Sequence, residues 1–136
     1  MLSEPTRRLA SGMNFAVLTT LMPGGSPQAH VMWIDEDGEH LLINTEEGRQ
    51  KLDNIDRDPR VAIVIWNRSS PYEYVEVRGQ VVERVTGAPA RDNIEELTQK
   101  YQGLPADPSL IGERVLLKVR AEREYYHRAP RPVDRV

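Results

Sequence analysis

QAHVMWIDEDGEHLLINT, residues 28–45, contains two apolar runs separated by a short polar segment. Gln28–Ile34 and Leu41–Thr45 have the length of β-strands. Asp37 and Gly38 between them belong to the residue types that accept the positive φ of a tight turn. We therefore predict that the two runs are consecutive strands of an antiparallel meander.

Four further stretches have the character of strands: Met13–Leu21, Val61–Trp66, Tyr72–Val85 and Arg114–Tyr125. Because Val61–Trp66 is continuously apolar, we expect it to be buried on both faces at the centre of the sheet. Tyr72–Val85 alternates in polarity, and Gly79 within it predicts a bulge or bend. Together with the first two runs, these stretches predict six antiparallel strands.

Short helices are predicted between the strands, at Thr6–Gly12, where the glycine suggests a left-handed cap, at Glu46–Asp58 and at Pro89–Tyr101. The resulting fold class is mainly β (α+β), a small antiparallel barrel whose closure removes exposed sheet edges. Residues 1–136 are expected to form one domain, with 128–136 as an extended tail.

Composition narrows the range of functions. The 136 residues include 18 Lys and Arg, 21 Asp and Glu and no Cys, and the net charge is −3. The absence of cysteine excludes disulfide scaffolds, Cys-ligated metals and thiol chemistry, so any redox chemistry needs a cofactor. The acidic balance argues against general nucleic-acid binding. We find no signal peptide or membrane-spanning segment, and expect a cytoplasmic protein that a homodimer interface would stabilise further.

A candidate anion site lies at Arg49, Gln50 and Lys51, near the start of the second predicted helix, where free backbone N–H groups also favour negative charge. The alternative is an ordinary solvated helix end, in which Glu47 is the return partner of an Asn44 cap.

Other candidates are less distinctive. The three histidines lack metal-ligand spacing, so no metal site is predicted. Trp33 and Trp66 could flank a planar ligand or simply pack in the core. Tyr72 and Tyr74 could donate a proton to a substrate.

The stretch GSPQAHVMWIDEDGEHLLINTEEGRQKLDNIDRDPRVAIVIWN, residues 25–67, resembles the flavin-binding split β-barrel family typified by pyridoxamine 5′-phosphate oxidase. Within that family it looks most like the branch that binds the deazaflavin coenzyme F420. The resemblance extends more weakly over most of the chain.

The resemblance implies a six-stranded split barrel and a cofactor cleft between two subunits. It also implies that basic residues after the third strand, here Arg49 and Lys51, hold the cofactor phosphate. In the FMN oxidases a lysine stands where this chain has Asp35, and a carboxylate there would repel a phosphate. The implied cofactor-binding set is Gln28, His30, Val31, Met32, Trp33, Asn44, Thr45, Arg49, Gln50, Lys51 and Trp66.

These observations predict an F420-dependent oxidoreductase that transfers a hydride between the deazaflavin and a planar conjugated small molecule. Two alternatives stay open. One is an FMN-dependent enzyme like pyridoxamine-phosphate oxidase, and the other is a protein that binds a flavin, F420 or a tetrapyrrole such as haem without catalysis. No catalytic side chain is assigned from the sequence.

Overall fold

Seven strands and three helices make up residues 1–108 and 112–129, the part of the chain that the computed structural model describes. In chain order they are α1 (Glu4–Ser11), β1 (Phe15–Leu21), β2 (Pro27–Trp33), β3 (Asp35–Glu36), β4 (Leu41–Glu46), α2 (Gln50–Arg57), β5 (Arg60–Asn67), β6 (Ser70–Val85), α3 (Ala88–Gln102) and β7 (Arg114–Arg128).

The strands form one antiparallel sheet in the order β2-β1-β5-β6-β7-β4-β3, which curls around a single apolar core. Alternate residues of each central strand point inward, as Ile63, Val75 and Leu117 do. Helices α1 and α2 add Leu9 and Leu52 to the same core. The predicted split-barrel architecture is therefore confirmed.

Gly79 marks the bend of the long strand β6, as predicted. The pairing of β6 with β7 shifts register between Arg78 and Gly79. A Cβ atom at residue 79 would lie 2.0 Å from the carbonyl oxygen of Arg120, so no side chain fits without moving the backbone. Only glycine allows β7 to approach this closely.

The split of the barrel lies between β2 and β4, which are not neighbours in the sheet. The prediction that these two strands pair in a meander was wrong. At Ile34 the chain leaves β2, and both backbone groups of that residue bond to α3. The Ile34 N–H donates to the Tyr101 hydroxyl at 3.1 Å, and Lys100 Nζ donates to the Ile34 carbonyl at 2.7 Å.

The count of six strands was also one short. Asp35 and Glu36, which the sequence placed in a turn, pair with Leu42 and Leu41 as the short strand β3. A two-residue strand of acidic residues carries too little pattern to be recognised.

Three local predictions need correction. Strand β5 is fully buried on one face only, since Ala62, Val64 and Trp66 on the other face are partly exposed. Helix α2 begins at Gln50 rather than Glu46, because β4 extends through Glu46. The C-cap Gly12 has a φ of −72°, so it is not left-handed.

Two segments are described only in part. Residues 109–111 of the loop between α3 and β7 lie outside the described residues, and so do residues 130–136 of the predicted tail. Arg128 of that tail is the last residue of β7. None of the helices in the described ranges has the length and apolar character needed to span a membrane.

Candidate functional site

A cavity of about 540 Å³ lies at the split, where α3 and the loop after it cover the gap between β2 and β4. Its volume is in the range of small-molecule sites, which is roughly 300 to 1,000 Å³. The lining residues are Val31, Met32, Trp33, Asn44, Glu46, Ile94, Leu97, Thr98, Gln102, Leu104, Pro105, Ala106, Asp107 and Arg114.

The apolar side of the cavity is fixed by an aromatic stack. The Trp33 and Tyr101 rings are 5.0 Å apart and nearly parallel, with an interplanar angle of 5°. Tyr101 is held in turn by its hydroxyl, which accepts from the Ile34 N–H and donates to the Asn14 carbonyl. Burial raises the pKa of Tyr101 to about 12, so the hydroxyl stays protonated at neutral pH. The stack therefore fixes the ring of Trp33, which lines the cavity and offers it a flat apolar surface.

The polar end of the cavity is built around Arg114 at the start of β7. Its Nε donates to Asn44 Oδ1 at 2.9 Å, and its Nη1 donates to Glu46 Oε1 at 2.7 Å. The side chain is only 11% exposed, and burial lowers the pKa of Arg114, although the Glu46 carboxylate opposes this effect. Asn44 also donates to the Ala90 carbonyl and to Asn93, so it ties β4 to α3.

Two more cations lie at this end, where β4 leads into α2. Arg49 is the N-cap residue of α2, and no side chain caps that helix terminus. Lys51 is only 8% exposed, and within residues 1–108 and 112–129 it has no ion pair within 4.0 Å. Burial lowers the pKa of Lys51, and the charge of Arg49 lowers it further. A buried cation next to free helix N–H groups is a suitable anion site.

The structure brings together only part of the predicted cofactor-binding set. Val31, Met32, Trp33 and Asn44 line the cavity. Arg49 adjoins it through Glu46, whose Oε2 lies 3.6 Å from Arg49 Nη2. Lys51 belongs to the same end because it lies within electrostatic reach of Arg49.

The side chains of Gln28 and Gln50 both form hydrogen bonds with Asn54 of α2. Gln50 Nε2 donates to Asn54 Oδ1 at 3.0 Å, and Asn54 Nδ2 donates to Gln28 Oε1 at 3.3 Å. Asn54 also donates to Thr20 at 3.0 Å. This network attaches α2 to the β1–β2 hairpin and thereby holds the helix whose first turn carries Lys51.

The remaining three predicted residues do not line the cavity. The side chain of Thr45 is buried on the inner face of β4, in step with Leu41 and Ile43. His30 is exposed on β2. Trp66 packs near Phe15 on the outer face of the sheet, with ring centroids 6.4 Å apart.

The sequence analysis missed Glu46, Arg114 and the contribution of α3. Glu46 was assigned to a helix, and Arg114 is far along the chain from the other site residues. Their pairing depends on the β4–β7 register, in which Glu46 is the partner of Arg114. The only available signal was a negative charge directly after one predicted strand and a positive charge at the start of another.

Asp35 lies away from the anion site. It pairs with Leu42 in the sheet, four residues before Glu46, and its charge acts on Lys100 and Tyr101 of α3. Four residues of strand span about 13 Å. If a phosphate binds at Arg49 and Lys51, the Asp35 carboxylate is too far away to repel it strongly.

Several known proteins resemble the chain in sequence or in fold. The family model described as pyridoxamine 5′-phosphate oxidase matches residues 2–128. No curated protein gives a significant sequence match.

Among solved structures, an F420 reductase is 32% identical, with a TM-score of 0.80 over 91% of this chain and 98% of its own. A conserved hypothetical protein from Mycobacterium tuberculosis is 23% identical, with a TM-score of 0.73 over 94% and 86% of the two chains. General Stress Protein 26 from Bacillus anthracis is 20% identical, with a TM-score of 0.69 over 91% and 92%. The last two similarities concern the fold. With its split barrel and a family match over nearly its whole length, the chain belongs to the pyridoxamine 5′-phosphate oxidase family.

Proposed function

We propose that this protein is an F420-dependent oxidoreductase acting on a planar conjugated small molecule. The observation that carries the proposal is a cavity with an apolar wall that ends at Arg114, with Arg49 and Lys51 close to that end. That combination suits a ligand with an aromatic ring system and a phosphate. The similarity to an F420 reductase supports the choice of deazaflavin.

The fit of the cofactor rests on Lys51 in particular. A largely buried lysine without a counter-ion is less well hydrated than an exposed one, so an anion bound beside it stabilises its charge. Arg49 and the first N–H groups of α2 would add further donors to a phosphate. When bound, reduced F420 supplies a hydride.

The protein itself would then position the cofactor ring and the acceptor and exclude water from between them. Met32 and Trp33 would hold the ring system from the β2 side, and Ile94, Leu97 and Leu104 would face the acceptor from the α3 side. Such placement lowers the barrier mainly by fixing the distance and orientation of the reacting atoms.

The proton that follows a hydride would come from solvent. Tyr101 contacts the cavity wall, but its hydroxyl is already bonded to two backbone groups and its pKa is about 12. Tyr74 stacks on His127 at 5.0 Å and does not line the cavity. Neither is a suitable acid.

FMN is the second candidate cofactor, and the position of Asp35 favours keeping it. Because that carboxylate lies toward the far end of β4, it does not oppose an FMN phosphate. A protein using FMN would employ the same cavity and the same cations.

A homodimer is part of the proposal. The outer face of β1, β2 and β5 carries Val17, Val31, Val64 and Trp66 in adjacent rows. Val31 is 65% exposed, and the other three are partly exposed. A second copy would cover this apolar face. Sedimentation should show a dimer that Val64→Lys weakens, and a monomer at all concentrations would contradict this.

The central test is a titration of cofactor-free protein with oxidised F420 and, separately, with FMN, followed by ligand fluorescence at fixed salt. Binding of F420 that is micromolar or tighter, with FMN much weaker, supports the proposal. A preference for FMN supports the second candidate. Binding of F420 without turnover of any conjugated acceptor would overturn the assignment as an enzyme.

A further inference from the structure

Glu46 lies between the cavity and the anion site and touches cations of both. Its Oε1 accepts from Arg114 Nη1 at 2.7 Å, while its Oε2 is 3.6 Å from Arg49 Nη2. The carboxylate thus stands close to the guanidinium groups that a bound phosphate would need. Glu46 is also 42% exposed, so it is free to leave this position.

The cations near Glu46 outnumber its single negative charge. Arg49, Lys51 and Arg114 contribute three positive charges, and Glu46 is their one recorded counter-ion in the described part of the chain. Arg114 uses its Nε and Nη1, and its Nη2 has no recorded acceptor there. No fully buried side-chain nitrogen in the described residues lacks a partner, so Nη2 faces open space.

Neighbouring Glu47 provides an instructive contrast. It is 38% exposed, and its Oε2 accepts from Arg84 Nη2 at 2.6 Å. Arg84 also binds Asp56, so that cation is fully matched by two carboxylates. Glu46 and Glu47 are adjacent and similarly exposed, yet only Glu46 shares its cations with the proposed anion site.

We infer that Glu46 is an internal competitor for the anionic group of the ligand. In the ligand-free protein it occupies Arg114 and Arg49, and a bound phosphate displaces it from them. Glu46 therefore lowers the affinity of the site for an anion. This inference rests on the proposed function for the identity of the ligand, but not for the competition itself.

The test compares Glu46→Gln with Glu47→Gln, which remove the same charge from adjacent residues. Binding of inorganic phosphate to cofactor-free protein is measured by NMR titration at constant ionic strength. Glu46→Gln should bind phosphate at least about fivefold more tightly than wild type, because unit charges about 4 Å apart interact by roughly that factor even in water. Glu47→Gln should change affinity less than about twofold.

A second variant and a second ligand complete the experiment. Glu46→Ala, which removes the carboxylate without adding an amide, should also bind phosphate more tightly, and thermal unfolding confirms that both variants are folded. Equal or weaker phosphate binding by Glu46→Gln, or an equal gain in Glu47→Gln, overturns the inference.

Oxidised F420 is titrated in parallel. Tighter phosphate binding by Glu46→Gln without any F420 binding leaves the competition intact and removes the proposed function. Unchanged phosphate binding together with tight F420 binding does the reverse.

Discussion

Glu73 and Lys51 are both charged residues that the fold buries, to 7% and 8% exposure, and their surroundings are opposite. Three side chains donate to the Glu73 carboxylate. Arg8 Nη2 lies at 2.9 Å, Asn67 Nδ2 at 2.8 Å, and the Tyr126 hydroxyl completes the set. Lys51 has no such partner in the described ranges.

The difference separates a structural charge from one kept for a ligand. Glu73 joins α1, β5, β6 and β7, and the hydrogen bond from Arg8, followed by those from Tyr126 and Asn67, lowers its pKa to about 2. Burial lowers the pKa of Lys51, the charge of Arg49 lowers it further, and no carboxylate of the described residues pairs with it. A matched buried charge stabilises the fold, whereas an unmatched one costs stability until its counter-ion arrives.

Removing Glu73 should have the largest effect on stability. Glu73→Ala leaves three donors without their acceptor and should lower the free energy of unfolding by about 2 to 4 kcal/mol. Glu76→Gln on the same strand is the control, because in the described part of the chain Glu76 forms an ion pair with the exposed Arg78 alone. Chemical denaturation measures both variants, and equal losses would show that Glu73 is not a special link.

Removing Lys51 should weaken binding and spare the fold. Lys51→Met keeps the length of the side chain, and we expect it to weaken F420 binding by about 1.5 to 3 kcal/mol while leaving stability unchanged or raised. Lys118→Met removes a lysine that is paired with Glu83 and should not alter binding. A Lys51→Met protein that is less stable and binds normally would reverse the comparison.

Acid should remove the contribution of Glu73 in a defined range of pH. Its pKa is about 2 in the fold against an ordinary value of 4.5, so its stabilisation is complete above about pH 4.5 and declines as the pH falls toward about 2. The stability difference between wild type and Glu73→Gln should therefore shrink over this range. Urea denaturation at several acidic pH values measures it, and a constant difference would exclude Glu73 as the titrating group.

The smallest expected effect concerns Tyr101, a matched neutral group beside the cavity. Tyr101→Phe keeps the stack on Trp33 but removes the acceptor of the Ile34 N–H, and should cost about 1 to 2 kcal/mol of stability. Binding of F420 should change little. A large loss of binding at full stability would instead make the hydroxyl a ligand contact.

Much of the fold could be predicted from local sequence. Strand alternation located β6 correctly, and Gly79 indicated its bend. The place of the split could not be predicted from local sequence, because it depends on Ile34 bonding to α3 rather than to a neighbouring strand. A turn that contains Asp and Gly has the same sequence whether the flanking strands pair with each other or separate.

The parts of the candidate site that lie close together in the sequence could be predicted. The parts that the fold brings together from distant residues could not. Val31–Trp33 are implied by the family resemblance of residues 25–67, and the cations Arg49 and Lys51 follow from one short stretch of sequence. Arg114 joins them only through the β4–β7 register, and α3 only through packing. Thr45 and Trp66 do not line this cavity, since Thr45 lies on the inner face of β4 and Trp66 on the outer face of β5.

The two bonds between Ile34 and α3 also bear on how the chain folds during synthesis. The Ile34 N–H and carbonyl find their partners 67 and 66 residues later. Contacts of such long sequence separation form late, because the intervening loop must first be closed. On the ribosome, the β1–β2 hairpin can pair early, but the cavity wall is completed only after residue 101 of 136 has emerged.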